Sequence, residues 1–376
     1  MISRSRFRLP ALTLTTIIFI SVVTILAKRH LTSSIFPPMT VHANSVAILS
    51  TTKPTIERAD AGLDSIIPAQ PALEKIATGF TWTEGPAWIQ PGYLLFADIP
   101  SNSIRKWDPA SGTSIFIQPS GYKGSAPYGG PEPGSNGMTL DNSGRLTIAG
   151  HARRNVWRLE QVDPLAQVTI LADSYQGKML NSPNDLVYKS DGSLYFTDPP
   201  YGFRTQSDDD PDKQLKINGV YRILGASTQT PGTSPDRDKL QLLVEDLPRP
   251  NGIAFSPDEK YLYVNNSEPK KFWMRYTVKP DGTLKDGKLF FDATSDCRPG
   301  SPDGMRLDEK GNLYSAGPGG VWIFSPKGKH LGTIDMPEKV GNVAWGGPDM
   351  KTLYIVASSS VYRITLKIPG DKKHNR

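Results

Sequence analysis

Residues 184–202, NDLVYKSDGSLYFTDPPYG, decide the fold. Two short apolar stretches, Leu186–Tyr188 and Leu194–Thr197, flank the turn at Ser190–Gly192, and neither carries a helical period. An amide opens the first stretch. The same pattern, an acid or amide followed by a small or turn residue and then a strand, recurs elsewhere. It begins at Glu84 (EGPAWI), Asn136 (NGMTLD), Asn184 (NDLVYK), Asn251 (NGIAFS), Asp303 (DGMRLD) and Asn342 (NVAWGG), at spacings of 52, 48, 67, 52 and 39 residues. A second strand follows each opening (YLLFADI, RLTIAG, SLYFTD, YLYVNN, NLYSAG, LYIVAS) and a third follows that (SIRKWD, NVWRLE, GVYRIL, FWMRYTV, GVWIFS, VYRITL). Five units supply a fourth; the sixth runs out. LEKIATG at 73–79, just ahead of the first unit, is the donor that completes it. Joining both chain ends in one sheet removes open edges. The expectation is all-β: a six-bladed β-propeller of four-stranded blades, closed by an N-terminal strand completing the last blade. Two stacked sandwiches would not need so regular a repeat.

The innermost strand of a blade runs along the central channel, so its opening residue stands at one mouth. Glu84, Asn136, Asn184, Asn251, Asp303 and Asn342 then form a ring of oxygen-bearing side chains. Carboxylates and amide carbonyls are ligands for a hard cation, Ca²⁺ above all. Two carboxylates at a narrow mouth repel each other unless a divalent ion balances them. Any one Asn-Gly or Asp-Gly is also an ordinary turn pair before a strand; the shared repeat position favours the ring. Asn136 and Asn342 also read as holders of water or substrate, or as turn caps. Loops returning to this mouth carry Asp98, His151 with Arg153 and Arg154, Asp198–Tyr201, Asn265 and Asn266. The Gly202–Asn218 insertion and the Gly/Pro-rich Ser120–Ser135 loop are expected to cover it. The insertion at 225–238 falls on the opposite face and reads as decoration. His151 reads either as a proton shuttle or substrate contact, or as an ordinary exposed loop histidine.

Composition excludes several classes. The chain has 376 residues with 34 Gly and 33 Pro and no three-residue period, so it is loop-rich but not collagenous. A single cysteine, Cys297, allows no internal disulfide or cysteine-based metal cluster, and no base is visible beside it. Five histidines, three of them outside the repeats, argue against a three-histidine zinc site. No G-x-S-x-G elbow is present. SDDDPD at 207–212 lacks the glycine and glutamate of a calcium loop and reads as solvated loop. The formal charge of +6 sits in residues 1–58, leaving a neutral body and no nucleic-acid partner. Arg4, Arg6 and Arg8 precede an uncharged run from Ala11 to Ala27. This reads as an uncleaved membrane anchor in preference to a cleaved signal, and either places the body outside the cytoplasm. The expected layout is a leader at 1–30, a flexible linker at 31–70, the propeller at 71–368 and a polar tail at 369–376. The membrane is engaged only through the leader, and a monomer is expected.

The segments TEGPAW, FADIPSNSI, GKMLNSPNDLVYKSDGSLYFTDPPYG, PNGIAFSPDEKYLYV and SPDGMRLDEKGNLY, in that order, resemble the gluconolactonase/regucalcin (senescence marker protein) family, and most closely its bacterial-type gluconolactonase branch. The resemblance spans roughly residues 80–366. It implies one catalytic divalent metal, commonly Ca²⁺ with Mg²⁺, Mn²⁺ and Zn²⁺ as alternatives, held by Glu84, Asn184, Asn251 and Asp303. It also implies an acid/base role for Asp303 and substrate contact for Asn184. The substrate arginine of regucalcin-type members is replaced by Ser182. His151 matches a histidine common in the gluconolactonase branch. The combined expectation is a metal-dependent hydrolase opening a lactone or related ester at the channel mouth. Asp303 and His151 are its catalytic residues, and Asn184, Asn136 and Tyr201 contact substrate. Competing readings keep the metal site for a phosphotriester or fluorophosphate, or make the propeller a non-catalytic ligand binder.

Overall fold

β-Branched and aromatic residues fill the strand segments because their side chains pack well on a pleated surface. In the computed structural model, which describes residues 48–374 apart from Pro91 and 163–166, these segments form six antiparallel sheets. Blade 1 comprises Thr83–Ile89, Tyr93–Asp98, Ser103–Asp108 and Gly112–Ile117. Blade 2 comprises Met138–Leu140, Leu146–Gly150, Asn155–Leu159 and Val168–Ala172. Leu186–Tyr188, Leu194–Asp198, Gly219–Ile223 and Leu240–Val244 form blade 3. Blade 4 is built from Pro250–Phe255, Tyr261–Asn266, Phe272–Val278 and Leu284–Asp292. In blade 5 the four are Met305–Leu307, Leu313–Gly317, Gly320–Phe324 and His330–Asp335. Blade 6 pairs Val340–Gly346, Thr352–Ala357 and Ser360–Thr365 with Leu73–Thr78, which is the closure expected from LEKIATG.

The core is a series of layers between neighbouring blades. Leu95 and Ile104 of blade 1 meet Met138, Ile148 and Trp157 of blade 2 in one such layer. The others join blades 2 and 3, 3 and 4, 4 and 5, and blades 5, 6 and 1. Second strands such as Tyr93–Asp98 and Leu194–Asp198 are buried on both faces, so they read as continuous apolar runs.

At the mouth the blades press together at glycine. A Cβ on Gly85 would fall 2.2 Å from the Asn136 carbonyl oxygen, and one on Gly137 would fall 2.4 Å from that of Asn184. Gly252 and Gly304 stand in the same way against Asp303 and Asn342, and Gly341 closes the circle against Glu84. Gly85 has a positive φ, but the others are chosen for closeness. Backbone bonds run across the gaps, Gly137 N–H to Asn184 O at 2.8 Å and Gly304 N–H to Gly341 O at 2.9 Å. The Asn-Gly and Asp-Gly pairs are therefore contact points between blades.

Three expectations change. The described part of the 31–70 stretch is not a flexible linker. Ser50–Thr52 pairs with Leu73–Thr78, and Ile56–Arg58 pairs with His330–Asp335, each adding a fifth strand over a blade edge. The 3₁₀ turn Ala61–Ser65, capped by Asp60, sends Leu63, Ile66 and Ile67 into the blade 5–6 core. Three-residue strands between prolines show no period, which is why the sequence hides them. The tail is docked as well: Asp371 N–H bonds to Leu307 O at 3.1 Å, and the His374 ring lies buried 3.1 Å from Glu259. Finally, the 225–238 insertion is a clamp, because the buried Arg158 of blade 2 donates to Ala226 O at 2.7 Å and Gln229 O at 2.8 Å. Residues 1–30 lie outside the described residues.

Leu63→Ala should lower the unfolding free energy by about 2–5 kcal/mol, the cost of an emptied core position. A urea midpoint indistinguishable from wild type would show that the 48–70 segment carries no part of the core. Gly137→Ala should cost about 1–3 kcal/mol in the same assay, because the neighbouring blade has to retreat.

Candidate active site

The ring positions open into a cavity of about 430 Å³ at the mouth. Glu84, Asn136, Asn184, Asn251, Asp303 and Tyr201 line it, together with Trp82, Glu132, Gln206, Ser267, Glu268, Ser301 and Lys339. Five of the six repeat positions thus share one chamber. Asn342 does not line it; its amide bonds the Glu84 carboxylate from behind.

The amides are oriented in series. Asn136 Nδ2 donates to Asn184 Oδ1 at 2.6 Å, Asn184 Nδ2 donates to Asn251 Oδ1, and Asn251 Nδ2 donates to Ser267 Oγ at 3.0 Å. Ser267 in turn donates to Pro302 O at 2.7 Å. Asn184 Oδ1 and Asn251 Oδ1 each take one hydrogen bond in this series and keep a lone pair. The carboxylates are less well served. Burial, then the nearby Glu84 and Asp185 charges, holds Asp303 well above the usual carboxylate range. Burial, followed by Asp185 and Glu132, raises Glu84 as well. Asp185 lies beneath the ring, fully buried, with Arg306 Nη1 3.4 Å away as its partner. When ionised, the three buried acids and the one buried arginine leave an uncompensated charge of −2, which one divalent cation would balance. Among the described residues no group of three or more His, Cys, Asp or Glu side chains is placed to hold a metal ion together. A cation here would rest on two carboxylates and amide oxygens, a donor set that suits a hard ion such as Ca²⁺ better than Zn²⁺.

The remaining expectations divide. His151 is at the mouth but is neither exposed nor in the cavity wall: it is fully buried, and Glu132 stands between it and the chamber. Asp98 caps the Thr81 and Trp82 N–H groups at 3.1 and 3.2 Å, and Asn266 braces the 266–270 turn. Asn265 ties Gly252 N–H to the Asp303 carbonyl. Arg154 stacks on Phe203 and bonds Leu180 O and Asp212 O, anchoring the Gly202–Asn218 cover. Ser182 bonds Pro199 O at 2.5 Å and Gly202 N at 2.9 Å, so it sews a turn. Both expected covers reach the mouth, contributing Glu132 and Gln206, and they are joined by the Tyr128 hydroxyl on Gly202 O. Glu132, Trp82, Glu268 and Lys339 have no fixed place in the repeat, so the strand pattern gave no means of finding them. Cys297 is exposed.

A closed ring of six blades with a polar, acid-bearing chamber at its axial mouth defines the class: a six-bladed β-propeller. Residues 82–359 match the SMP-30/Gluconolactonase/LRE-like region, and the chain belongs to that family. It is 39% identical over 322 residues to the gluconolactonase of Zymomonas mobilis, covering 82% of this chain and 85% of that protein. Among solved structures, a gluconolactonase from Xanthomonas campestris superposes with a TM-score of 0.69 at 30% identity, over 84% of this chain and 95% of that one. The calcium-binding protein regucalcin from Agrobacterium tumefaciens shares the fold, with a TM-score of 0.59 at 18% identity, over 79% of this chain and 94% of that one.

Arg306→Met should destabilise the protein by about 3–5 kcal/mol by stranding the Asp185 carboxylate. Adding Asp185→Asn should restore most of the loss in urea unfolding. A double variant no more stable than the single would show that the arginine acts through packing alone.

Proposed function

We propose that the chain is a divalent-cation-dependent lactonase whose reaction takes place in the mouth chamber. One observation carries the reading: Glu84, Asn184, Asn251 and Asp303, from four separate blades, face one cavity in a chain 39% identical to a gluconolactonase. These four would hold the cation, with Ca²⁺ preferred and Mg²⁺, Mn²⁺ or Zn²⁺ as alternatives. When bound, it supplies Lewis-acid polarisation of the substrate carbonyl and a counter-charge for the oxyanion that develops there.

The protein's own groups do the rest. Asp303 accepts the proton of the attacking water. Asn136 and Asn184 offer amide contacts to the ring and its hydroxyls. Burial pushes the Tyr201 hydroxyl far up, so it stays protonated and acts as a hydrogen-bond donor. Trp82 gives the cavity an apolar wall against which a ring can lie. The ligand is a small neutral lactone or ester; the neutral body offers nothing to nucleic acid. The protein would work as a monomer outside the cytoplasm, touching the membrane only through residues 1–30. That placement rests on the composition of the leader, and no helix among the described residues is long and apolar enough to cross a membrane.

Glu84→Gln and Asp303→Asn should each reduce lactone opening by about 10²–10³-fold, measured as acid release in a pH-stat. Chelation should abolish activity and added Ca²⁺ should restore it; full activity in chelator overturns the reading, and turnover of phosphotriesters but not lactones would redirect it.

Stability offers a second readout. Both acids bind a proton more tightly in the folded state, so they favour the fold at low pH. In chelator the protein should lose stability as pH rises from about 4, the unfolded value, to about 8, where Glu84 titrates. Asp303→Asn should flatten that slope, and added Ca²⁺ should reverse it. A wild-type melting temperature independent of pH across this window would count against two uncompensated acids.

A further inference from the structure

Glu132 was invisible to the repeat, yet it is the side chain that joins His151 to the chamber. It sits on the Ser120–Ser135 cover with its side chain 18% exposed, in the cavity wall with Glu84 and Asp303. The base of the cover is tied down by Asn102, which bonds Tyr122 O and Gly121 N, each at 2.7 Å. Both carboxylate oxygens are engaged: Oε1 accepts from Gln206 Nε2 at 3.0 Å, and Oε2 lies 2.7 Å from His151 Nε2. On its other side, His151 Nδ1 lies 3.3 Å from the Pro183 carbonyl oxygen, which can only accept. Nδ1 therefore carries a proton toward Pro183. A second proton lies between Nε2 and Oε2, because neither atom otherwise has anything to donate. This geometry lets the pair hold a proton at the edge of the chamber.

We infer that Glu132 is the general acid that protonates the departing ring oxygen of the lactone, with His151 as the positioning residue that charges it. The inference rests on the lactonase reading. The oxygen of water bonds to the acyl carbon and gives one proton to Asp303. The bond from acyl carbon to ring oxygen breaks, its electron pair going to the ring oxygen. That oxygen takes the shared proton and becomes a hydroxyl. The pair is left as a Glu132 carboxylate beside a neutral His151 still bonded to Pro183. The product acid ionises, and of the two protons then held by Asp303 and product, one refills the pair and one goes to solvent. Lactone and water give hydroxycarboxylate and one proton.

An acid is needed in proportion to the basicity of the leaving oxygen. An aliphatic alkoxide is about as basic as hydroxide, whereas a phenoxide leaves with a conjugate acid of about 10. The test compares δ-valerolactone with dihydrocoumarin, whose leaving group is a phenoxide, on Ca²⁺-loaded full-length protein. Glu132→Gln should lose about 10²–10⁴-fold in kcat on δ-valerolactone but less than about tenfold on dihydrocoumarin. His151→Gln should shift the ratio the same way, and the double variant should be no worse than the weaker single, since the two act as one unit. If His151→Gln does not fold, Glu132→Gln alone decides. Equal losses on both lactones, or multiplicative losses in the double variant, overturn the assignment while leaving the lactonase reading standing. A wild-type protein that opens neither lactone overturns both.

Discussion

The structure depends on how closely six inner strands can approach one axis. In four blades the approach is set by the residue just after a mouth position, and in blade 6 by Gly341 just before one. Where that residue is glycine, the next blade's backbone or side chain occupies the space a Cβ would fill, at 2.2 Å for Gly85 and for Gly252. A methyl group there would push neighbouring blades apart and widen the ring, and the mouth side chains would no longer share one chamber. The same glycines therefore set both the closure of the fold and the diameter of the site. Blade 3 has no glycine at this place and solves the problem differently. Its Asp185 turns inward, accepting from Ile253 N–H of blade 4 and from Arg306 of blade 5, both at 3.4 Å.

That inward acid ties the packing to the electrostatics. Bringing Glu84, Asp185 and Asp303 to one axis concentrates negative charge in a region stripped of water, and all three are raised by burial. Arg306 answers one of them. The amides of Asn136, Asn184 and Asn251 answer none, since each donates to the next amide or to Ser267. The ring is thus organised at a cost in stability, as sites prepared for a charged ligand are. Asn342 and the Gly85 N–H hold the Glu84 carboxylate in place meanwhile.

What could be read in the chain follows from what repeats. Glu84, Asn136, Asn184, Asn251 and Asp303 were legible because each opens an inner strand, so the period alone assigns them to one end of one axis. Asn342 obeys the same period yet stands behind Glu84, because Gly341 packs directly against the Glu84 carboxylate and Lys339 and Val340 line the chamber in its place. Position in a repeat fixes a Cα, while the local backbone decides where the side chain goes. Glu132 and Gln206 belong to covers that no strand register constrains, and their pairing across 74 residues follows from tertiary packing of two loops. His151 was placed at the right end of the barrel, but its burial depends on those same covers. The strap at 48–70 escaped notice because three-residue strands carry too little pattern.

The tail explains why the two ends of the channel differ. A propeller ring leaves two axial openings. Here the tail crosses the end remote from Glu84: Gly370 bridges to Asp308 at the foot of blade 5, and His374 reaches the inner-strand residues Trp88, Thr139 and Trp345. Its ring is held between Asp371 and Glu259, which itself bonds Ser190 of blade 3. Only about 20 Å³ remains there, too little for more than a water molecule. Among the described residues the far end is thus narrowed by the tail, and the wider approach to the acids is the chamber under the covers. Chemistry that needs a chosen proton donor is then possible, because the covers, rather than bulk water, decide which groups stand beside the reacting atoms.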